Sequence, residues 1–482
     1  ILGSIIITAA LDPKIKFVFL ITDILVYVLC LGVSFYIYYA SQREHLRAPW
    51  RYILRRPIAM SALIVLLSYI SMGLLDSVHF RVALEKQADD QEIQYAGEIN
   101  SALDVLLTDL RIQQEKTYSA PFATHLYVKE AMEIDGGQVR DFPRLKYGGI
   151  HLVIANDDIV SDILISALLS FAEALVITLI LLMIVVADRT QRDKVGFTIA
   201  LKYVLSSNSN IPWRAILLTS LAVIFFFCGV ANIGSAYHLL GTDKVGQDVL
   251  YLAIKGIRTG LVIGTLTTLV MLPIAVLLGI MAGYYRGKVD DVIQYLYTTL
   301  SSIPGVLLIA AAILSLQVYM NNNAELFDTV TERADLRLLA LCIILGITSW
   351  TGLCRMLRGE TLKLSEMDYI QAANAFGVSR FKILLRHILP NVMHIVLIAV
   401  VLDFSGLVLA EAVLAYVGVG VDPTMISWGN MINSARLEMA REPAVWWSLM
   451  AAFLFMFTLV LAANLFADAV RDAFDPRLTR SK

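Results

Sequence analysis

Residues 261–284 read LVIGTLTTLVMLPIAVLLGIMAGY, and this run contains no charged side chain. A helix needs about 20 mostly apolar residues to cross the hydrocarbon core of a bilayer, so the run predicts a transmembrane helix. Eight further stretches meet the same criterion, near residues 17–39, 57–75, 163–186, 215–233, 292–319, 338–357, 392–419 and 446–466. The stretch from residue 292 is polar at its start. The sequence therefore predicts an all-α polytopic membrane protein with about nine transmembrane helices.

The composition of the whole chain supports a membrane protein and excludes other classes. Its 482 residues are 58% hydrophobic and only 17% charged, and the mean hydropathy is +0.69. Soluble domains are about 45–50% apolar and about 25% charged. The formal net charge of −2 gives no basic field for binding nucleic acid. The four cysteines form no C-x-x-C pair, so the sequence predicts neither a disulfide scaffold nor a zinc or redox motif.

Basic residues in the short loops predict the orientation of the spans. Short cytoplasmic loops are enriched in Lys and Arg, and here such residues follow every odd-numbered stretch. We therefore expect odd-numbered spans and the C-terminus to end in the cytoplasm. The residues are Arg43, Arg47, Arg51, Arg55 and Arg56, then Arg189, Arg192, Lys194 and Lys202, then Arg286 and Lys288, then Arg358, Lys363, Arg380, Lys382 and Arg386, and finally Arg471, Arg477, Arg480 and Lys482.

Two segments outside these stretches lead to separate predictions. Residues 76–162 lie outside by the same parity, and helix-like residues 102–114 and the β-branched run 149–155 predict a small extracytoplasmic α/β domain. This domain either binds a ligand or serves as a structured spacer. Residues 1–10 are apolar and precede an Asp-Pro turn signal, which predicts the end of a tenth helix truncated at the N-terminus.

The loop after the seventh stretch, residues 368–391, reads DYIQAANAFGVSRFKILLRHILPN. Its Ala-rich first part, 368–376, predicts a short helix, and Gly377 suits a left-handed C-terminal cap. Ser379 can cap the next helix, and Pro390 is placed to start the eighth span, where a missing N–H costs nothing. Small residues would let another protein surface approach closely: Ala372, Ala373 and Ala375.

This loop resembles the EAA loop of permease subunits of binding-protein-dependent ABC importers. The family pattern is Glu-Ala-Ala, three residues, Gly, and then a spacer that ends in Ile-x-Leu-Pro or a similar sequence. Gln371 stands here in place of the Glu. The resemblance implies that the loop, 368–390, receives force from a separate ATPase through Gln371, Ala372, Ala373, Ala375, Phe376, Gly377, Arg380, Ile388 and Pro390.

Three further motifs resemble the dipeptide/oligopeptide subfamily of the DppC/OppC type. Residues 238–250 read HLLGTDKVGQDVL, with Gln247 where the subfamily usually has Arg. Residues 409–412 read LAEA and are followed by VGVG at 417–420, and residues 427–431 read SWGNM. The resemblance covers about residues 215–478 and implies a six-helix type I importer core. It suggests outer-gate or binding-protein contacts at Gly241, Thr242, Asp243, Asp248, Trp428, Gly429 and Asn430.

Two ionisable residues, Asp403 and Glu411, lie within the eighth stretch. Such groups are costly in a membrane and usually face a cavity or a partner. Both are candidates for the translocation path. Asp403 either binds a peptide amino terminus or makes an internal hydrogen bond, and Glu411 has either a pathway or a structural role.

The resemblance also implies partners and cofactors. It implies a heterodimer with a second homologous permease, two cytoplasmic ATPase subunits, an extracytoplasmic peptide-binding protein and the bilayer of a bacterial inner membrane, without nucleic acid. No catalytic or metal site is expected, because the histidines show no metal spacing and residues 283–288 lack the Ser/Thr of a phosphate loop. ATP and Mg²⁺ would therefore be bound by the partner ATPases.

Four segments follow along the chain, and several functions stay open. Residues 1–75 are extra transmembrane helices, 76–162 the outer domain, 163–210 an extra helix with a cytoplasmic linker, and 211–482 the permease core. The expected function is ATP-driven import of di- or oligopeptides by alternating access. The alternatives are import of nickel or another small solute, a proton-coupled secondary transporter, and a membrane receptor or scaffold whose outer domain binds ligand.

Overall fold

The computed structural model describes residues 15–84, 94–134, 137–152, 159–206, 211–323, 325 and 329–474. The predicted helix end at residues 1–10 lies outside the described residues. The elements of the described part follow, in chain order within each type. The strands are β1 (Ile15–Val18), β2 (His79–Val82), β3 (Asn100–Ser101), β4 (Glu130–Ile134) and β5 (Gly137–Asp141). The helices of the first half are α1 (Ile21–Ser41), α2 (Glu44–Ile53), α3 (Pro57–Asp76), α4 (Ala102–Leu106), α5 (Thr108–Ile112), α6 (Ile159–Asp193), α7 (Phe197–Val204) and α8 (Trp213–Gly234).

All the named elements in the second half of the described chain are helices. Its helices are α9 (Val249–Tyr285), α10 (Gly287–Ser302), α11 (Gly305–Asn322), α12 (Val330–Ser349), α13 (Thr351–Ser365), α14 (Asp368–Ala375), α15 (Arg380–Ile383), α16 (Leu389–Tyr416), α17 (Trp428–Glu438) and α18 (Trp447–Phe474). A π-helical turn, Leu384–Ile388, joins α15 to α16.

Nine helices of the described chain are long and apolar enough to cross a membrane, which confirms the predicted number. Several predicted starts differ from the structure, two of them for a clear structural reason. The stretch from residue 292 is interrupted at Ile303 and Pro304, so the spanning helix α11 begins only at Gly305, and the polar half forms the separate helix α10. The first span begins at Ile21 rather than Phe17, because Ile15–Val18 forms a strand that pairs with β2.

The described chain forms two compact units. The first contains the described residues of Ile1–Phe19, Arg51–Thr259 and Ile426–Ala462. The second contains those of Leu20–Trp50, Gly260–Met425 and Ala463–Lys482. Helices α9 and α18 therefore contribute residues to both units.

In the first unit, the described residues of the segment 76–162, here called the domain 76–162, form short helices and strands. The antiparallel sheet β1-β2-β3 pairs Ile15 with Val82 and His79 with Ser101, and β4 and β5 form a hairpin. The expected helix 102–114 is divided into α4 and α5. The predicted strand 149–155 is wrong where it is described, because Gly149 adopts φ +66° in a turn that a strand cannot continue.

In the second unit, the extra span α1 packs against α12. The buried Asp335 carboxylate accepts a hydrogen bond from the Thr22 backbone N–H at 3.1 Å and another from the Thr22 hydroxyl. Leu25 and Val26 pack against a cluster that includes Leu338 and other buried residues of α12. A carboxylate that accepts backbone and hydroxyl hydrogen bonds can be buried at lower cost, so Asp335 fixes the position of α1.

Close contact between α9 and α12 depends on Gly346. A Cβ atom at this position would lie 2.7 Å from Val270 Cβ and 3.0 Å from the Thr267 backbone O. Small residues at helix interfaces let backbones approach closely inside a membrane, where packing supplies much of the attraction between helices.

We expect Gly346→Ala to destabilise the protein by about 1–3 kcal/mol, the usual cost of overpacking a filled interface. Gly352→Ala is the matched control, because a Cβ added there would meet no heavy atom within 4 Å, and the change favours helix formation. Thermal unfolding of the purified chain in detergent, followed by tryptophan fluorescence, measures both. Equal unfolding temperatures for the two variants would contradict the close contact.

Candidate functional site

The 368–390 loop forms the predicted helix, glycine turn and second helix. Helix α14 ends at Ala375, and Gly377 adopts φ +73°. The backbone N–H groups of Gly377 and Val378 donate to the carbonyl groups of Asn374 and Ala373 at 3.0 and 3.1 Å. Positive φ is easy only for glycine, so the sharp turn requires this residue.

The inner side of the loop is anchored in the hydrophobic core of the second unit. Ile370, Ile383 and Ile388 are fully buried and belong to the same cluster as Cys354 and Leu357 of α13. Three β-branched side chains with few rotamers therefore hold the loop rigidly on the membrane helices. A rigid attachment allows a force on the loop to reach those helices.

The side of the loop that faces away from this core exposes two aromatic side chains, Phe376 and Phe381, which we call the hydrophobic patch. Phe376 is 87% exposed and Phe381 is 69% exposed. Gln371, Ala372, Ala375, Gly377, Arg380 and Pro390 are exposed or partly exposed as well, whereas Ala373 is half-buried against the core. Contiguous exposed apolar side chains usually mark an interaction site. The structure thus brings most of the predicted loop residues to one accessible hairpin, while Ile388 lies in its buried base.

Two details of the predicted loop differ from the structure. Ser379 occupies the N-cap position of α15, but its side chain makes no capping hydrogen bond. Pro390 lies in the first turn of α16 as predicted. However, α16 does not begin a separate helix, because α15, the π-helical turn and α16 are continuous. Wide turns of this kind occur mostly as single insertions within α-helices, often at functional sites.

Sequence reasoning missed the side chains that tie the end of α9 to this loop. The Tyr284 hydroxyl donates to Asn374 Oδ1 at 2.9 Å. Arg286 donates to Ser365 Oγ at 2.8 Å and forms an ion pair with Glu366. No local sequence pattern indicates these contacts, since residues 283–288 resemble only an incomplete phosphate loop. The contacts couple the fifth span to the hairpin.

A charged pair lies beside the same end of α9. Arg358 donates to both carboxylate oxygens of Asp290, at 2.6 and 2.7 Å. The hydrogen bonds from Arg358 outweigh partial burial and hold the pKa of Asp290 below its usual value. This bidentate pair fixes α10 against α13.

In the first unit, the 238–250 segment is covered by the domain 76–162. Thr242 is fully buried: its hydroxyl donates to the Thr117 carbonyl O at 2.8 Å and accepts from the Ser119 N–H at 2.7 Å. Gly241 adopts φ +68°, and a Cβ there would lie 2.4 Å from the Ser119 carbonyl O. More backbone hydrogen bonds join the two segments: Glu115 N to Gly246 O at 2.9 Å, Phe122 N to His238 O at 3.0 Å and Thr242 N to Ser119 O at 3.1 Å.

A buried histidine lies between two carboxylates at this contact. His238 Nδ1 is 2.8 Å from Asp248 Oδ2, and its Nε2 is 3.6 Å from Glu115 Oε1. The Glu115 carboxylate also accepts from the backbone N–H groups of Lys146 and Tyr147 at 2.8 and 2.7 Å. Burial opposes charge on His238, but the two acids outweigh it and raise its pKa to about 9. Burial raises the pKa of Glu115, yet its hydrogen bonds prevail and lower it overall.

The second predicted outer segment is also largely buried. Trp428 Nε1 donates to the Ala253 carbonyl O at 2.9 Å, and a Cβ at Gly256 would lie 2.8 Å from the Trp428 ring. Gly429 is buried too, and Asn430 is half-buried with its N–H bonded to Ser427 Oγ at 3.0 Å. Among the predicted outer residues, Asp243 and Asn430 are therefore the accessible ones. The others fix the shape of the loops.

The structure does not bring the two predicted path carboxylates together. Both lie on α16, where Asp403 is half-buried and Glu411 is buried. At 1.5 Å per residue they are about 12 Å apart along the helix axis. Their roles in the path stay predictions.

Comparison with known proteins identifies the family. The family described as "Binding-protein-dependent transport system inner membrane component" matches residues 275–480. The glutathione transport system permease protein GsiD of Pectobacterium atrosepticum is 33% identical over 51% of this chain and 74% of its own length. This chain belongs to that permease family. The predicted peptide-subfamily ABC importer permease, a transport subunit without its own ATPase, is thus confirmed.

Two further relatives match a similar share of this chain. The oligopeptide transport system permease protein OppC of Haemophilus influenzae is 32% identical over 50% of this chain and 71% of its own length. The dipeptide transport system permease protein DppC of Bacillus subtilis is 29% identical over 51% and 71%. A solved structure of the MetNI methionine ABC transporter in inward facing conformations aligns weakly, at 17% identity and a TM-score of 0.35, over 46% of this chain and 96% of that one.

We expect the thermal stability of the permease to depend on pH through His238 and Glu115. The folded pKa of His238, about 9, exceeds its usual 6.5, so its contribution is full below pH 6.5 and is lost as pH rises through about 9. Glu115 has a lowered pKa, so its contribution is present above its usual 4.5 and is lost as pH falls below that value.

The midpoint of thermal unfolding, recorded from acid to alkaline pH, measures this dependence. In a plot of this midpoint against pH, the alkaline limb is the fall at high pH and the acid limb the fall at low pH. His238→Gln should flatten the alkaline limb and Glu115→Gln the acid limb, because each variant removes the group that titrates. An unchanged alkaline limb in His238→Gln would show that the histidine is not the group responsible.

Proposed function

We propose that this permease moves di- or oligopeptides across the membrane by alternating access. Three named relatives support the substrate class, since they belong to glutathione, oligopeptide and dipeptide transport systems. Membership in a binding-protein-dependent family implies an ATPase and a substrate-binding protein as partners. The proposed assembly contains this chain, a second homologous permease and two ATPase subunits, with a peptide-binding protein at the outer face.

In the proposed orientation, the C-terminus and the 368–390 loop lie in the cytoplasm of a bacterial cell. The chain is a multi-pass inner membrane permease. Excess Lys and Arg after the odd-numbered spans supports the orientation. The pairing of β1 with β2 is consistent with it, because the residues before the first span and after the second must then share one side.

The exposed hairpin at Phe376 is the observation that carries the proposed mechanism. The side chains of Phe376 and Phe381 extend from a loop whose base is rigidly buried among the membrane helices. A partner ATPase bound to the hydrophobic patch would move the helices when ATP binding closes the ATPase dimer. Ligand binding at one site thereby shifts a two-state equilibrium at another. ATP and Mg²⁺ belong to the partner subunits in this scheme, and this chain binds no cofactor.

We expect Phe376→Ala to lower peptide uptake by the reconstituted importer at least about tenfold, because a central aromatic anchor contributes about 2 kcal/mol or more to an interface. Phe35→Ala is the matched control. Its side chain is 70% exposed on α1, away from the hairpin in sequence. Peptide uptake and ATP hydrolysis are measured together in proteoliposomes.

The ratio of ATP hydrolysis to peptide uptake, together with the subunit content, distinguishes a loss of coupling from a loss of assembly. We expect Phe376→Ala to hydrolyse ATP without matching uptake, or to lose its ATPase subunits during purification. The coupling role would be wrong if this variant matched Phe35→Ala in both uptake and subunit content.

The half-buried Asp403 is proposed to bind the amino terminus of the peptide in the translocation path. Ionisable groups within membrane helices usually face a cavity or a partner, which supports this role. We place Glu411, which is buried on the same helix, in a structural or pathway role. Asp243 and Asn430 are proposed to face the binding protein, and the buried residues Gly241, Thr242, Asp248, Trp428 and Gly429 hold that surface in shape.

We expect Asp403→Asn to reduce uptake of a peptide with a free amino terminus about tenfold, since a charge-assisted hydrogen bond contributes about 1.5–3 kcal/mol. Uptake of the same peptide with an acetylated amino terminus should be low in the wild type and unchanged by the substitution. Competition between the two peptides in proteoliposomes measures this selectivity. An equal loss for both peptides would assign Asp403 to a structural role.

A further inference from the structure

Two neighbouring cavities lie between the extra span α3 and the helix α8. The first has a volume of about 300 Å³ and is lined by residues that include Tyr69, Val223, Phe226 and Phe455. The second has a volume of about 590 Å³ and is lined by residues that include Leu106 and Asp109 of the domain 76–162. Both volumes fall in the range of about 300–1,000 Å³ that is typical of ligand pockets.

The two cavities are adjacent, because they share part of their lining, and we call the two together the groove. The shared residues are Ser68, Met72, Val223 and Phe227. Along α8 the lining extends from Thr219 to Ser235, which corresponds to about 24 Å at 1.5 Å per residue. Half of a bilayer's hydrocarbon core is about 15 Å thick. The lining is therefore long enough to cross one lipid leaflet, and residues of the domain 76–162 line the second cavity.

The hydroxyl groups of the groove already have hydrogen-bond acceptors within the protein. Ser68 donates to the Val65 carbonyl O at 2.7 Å and Tyr69 to the Phe455 carbonyl O at 3.0 Å. Thr219 donates to Ser61 Oγ at 2.8 Å. Ser71, Ser235 and Thr458 donate to carbonyl groups of nearby residues in their own helices. A peptide brings backbone N–H and C=O groups that would lose water here without finding partners. A hydrocarbon chain has no polar groups, so it loses no hydrogen bonds to water on entering the groove.

The mouth of the groove combines a carboxylate with exposed apolar side chains. Asp109 is exposed on α5, and Leu106 beside it on α4 is 65% exposed. Side chains of this kind suit the membrane interface, where apolar groups enter the bilayer and charges meet lipid headgroups. The negative charge of Asp109 matches a headgroup that carries an ammonium group.

We propose that this groove binds a membrane phospholipid with an ammonium headgroup. One acyl chain lies along α3 and α8 past Val223, and the headgroup lies beside Asp109, in the leaflet on the side of the domain 76–162. The lipid fills the space between the extra span and the permease helices. This proposal does not depend on the transported substrate.

Photo-crosslinking in nanodiscs tests the site with the full chain. The probe is phosphatidylethanolamine that carries a diazirine on one acyl chain, and mass spectrometry locates the labelled residues. We expect labels to concentrate on the shared lining residues, and Val223→Trp, which fills the junction of the two cavities, to reduce that labelling about tenfold. Leu218→Trp is the control, because Leu218 is 70% exposed on the same helix outside the groove.

The headgroup is tested separately, with a variant at the protein surface. Competition by unlabelled phosphatidylethanolamine should exceed competition by phosphatidylglycerol, and Asp109→Asn should reduce this preference about fivefold, equivalent to about 1 kcal/mol. Uniform labelling around α8, or equal labelling of the two tryptophan variants, would overturn the site. Equal competition by both lipids in the wild type would overturn the ammonium headgroup. Displacement of the probe by a hydrophobic peptide but not by lipid would assign the groove to a peptide.

Discussion

The bilayer accepts a polypeptide backbone only when its polar groups are hydrogen-bonded within the protein. This constraint explains why nine long helices account for most of the described chain and why the strands are confined to short segments of the first unit. It also determines where irregular backbone can occur. The left-handed turn at Gly377 and the buried loop at Gly241 both lie beyond helix ends, where other polar groups satisfy the backbone.

The same constraint makes the spans predictable from the sequence but not their ends. A run such as residues 261–284 has few alternatives to a membrane helix. Its helix, however, begins at Val249, because Asp248 accepts a hydrogen bond from the Tyr251 N–H at 3.1 Å outside the apolar run. The strand at Ile15–Val18 overlaps the start of a predicted span, since its pairing with β2 depends on residues more than about sixty positions away. Long-range pairing leaves no local pattern.

Local chemistry also decides which parts of the candidate site were predictable. The helix, Gly377 turn and second helix of the 368–390 loop follow from residues adjacent in sequence, and the structure contains them. The contact of Tyr284 with Asn374 joins residues from separate helices and was missed. Likewise, the 238–250 segment carries a recognisable motif, yet nothing in that motif indicates that Glu115 and Ser119 cover it. The buried hydrogen bonds of the domain 76–162 thus hold a loop of the permease in place.

Placing a photo-reactive residue at Ala375 tests the central claim most directly, because this small exposed position lies next to Phe376 on the hairpin. The same residue at Leu437, which is 68% exposed on α17 in the other unit, is the control. On irradiation of the assembled importer, we predict a covalent link from position 375 to an ATPase subunit, strengthened by ATP, and no such link from position 437. A link to the ATPase from position 437, or its absence from position 375 in an active complex, would contradict the account.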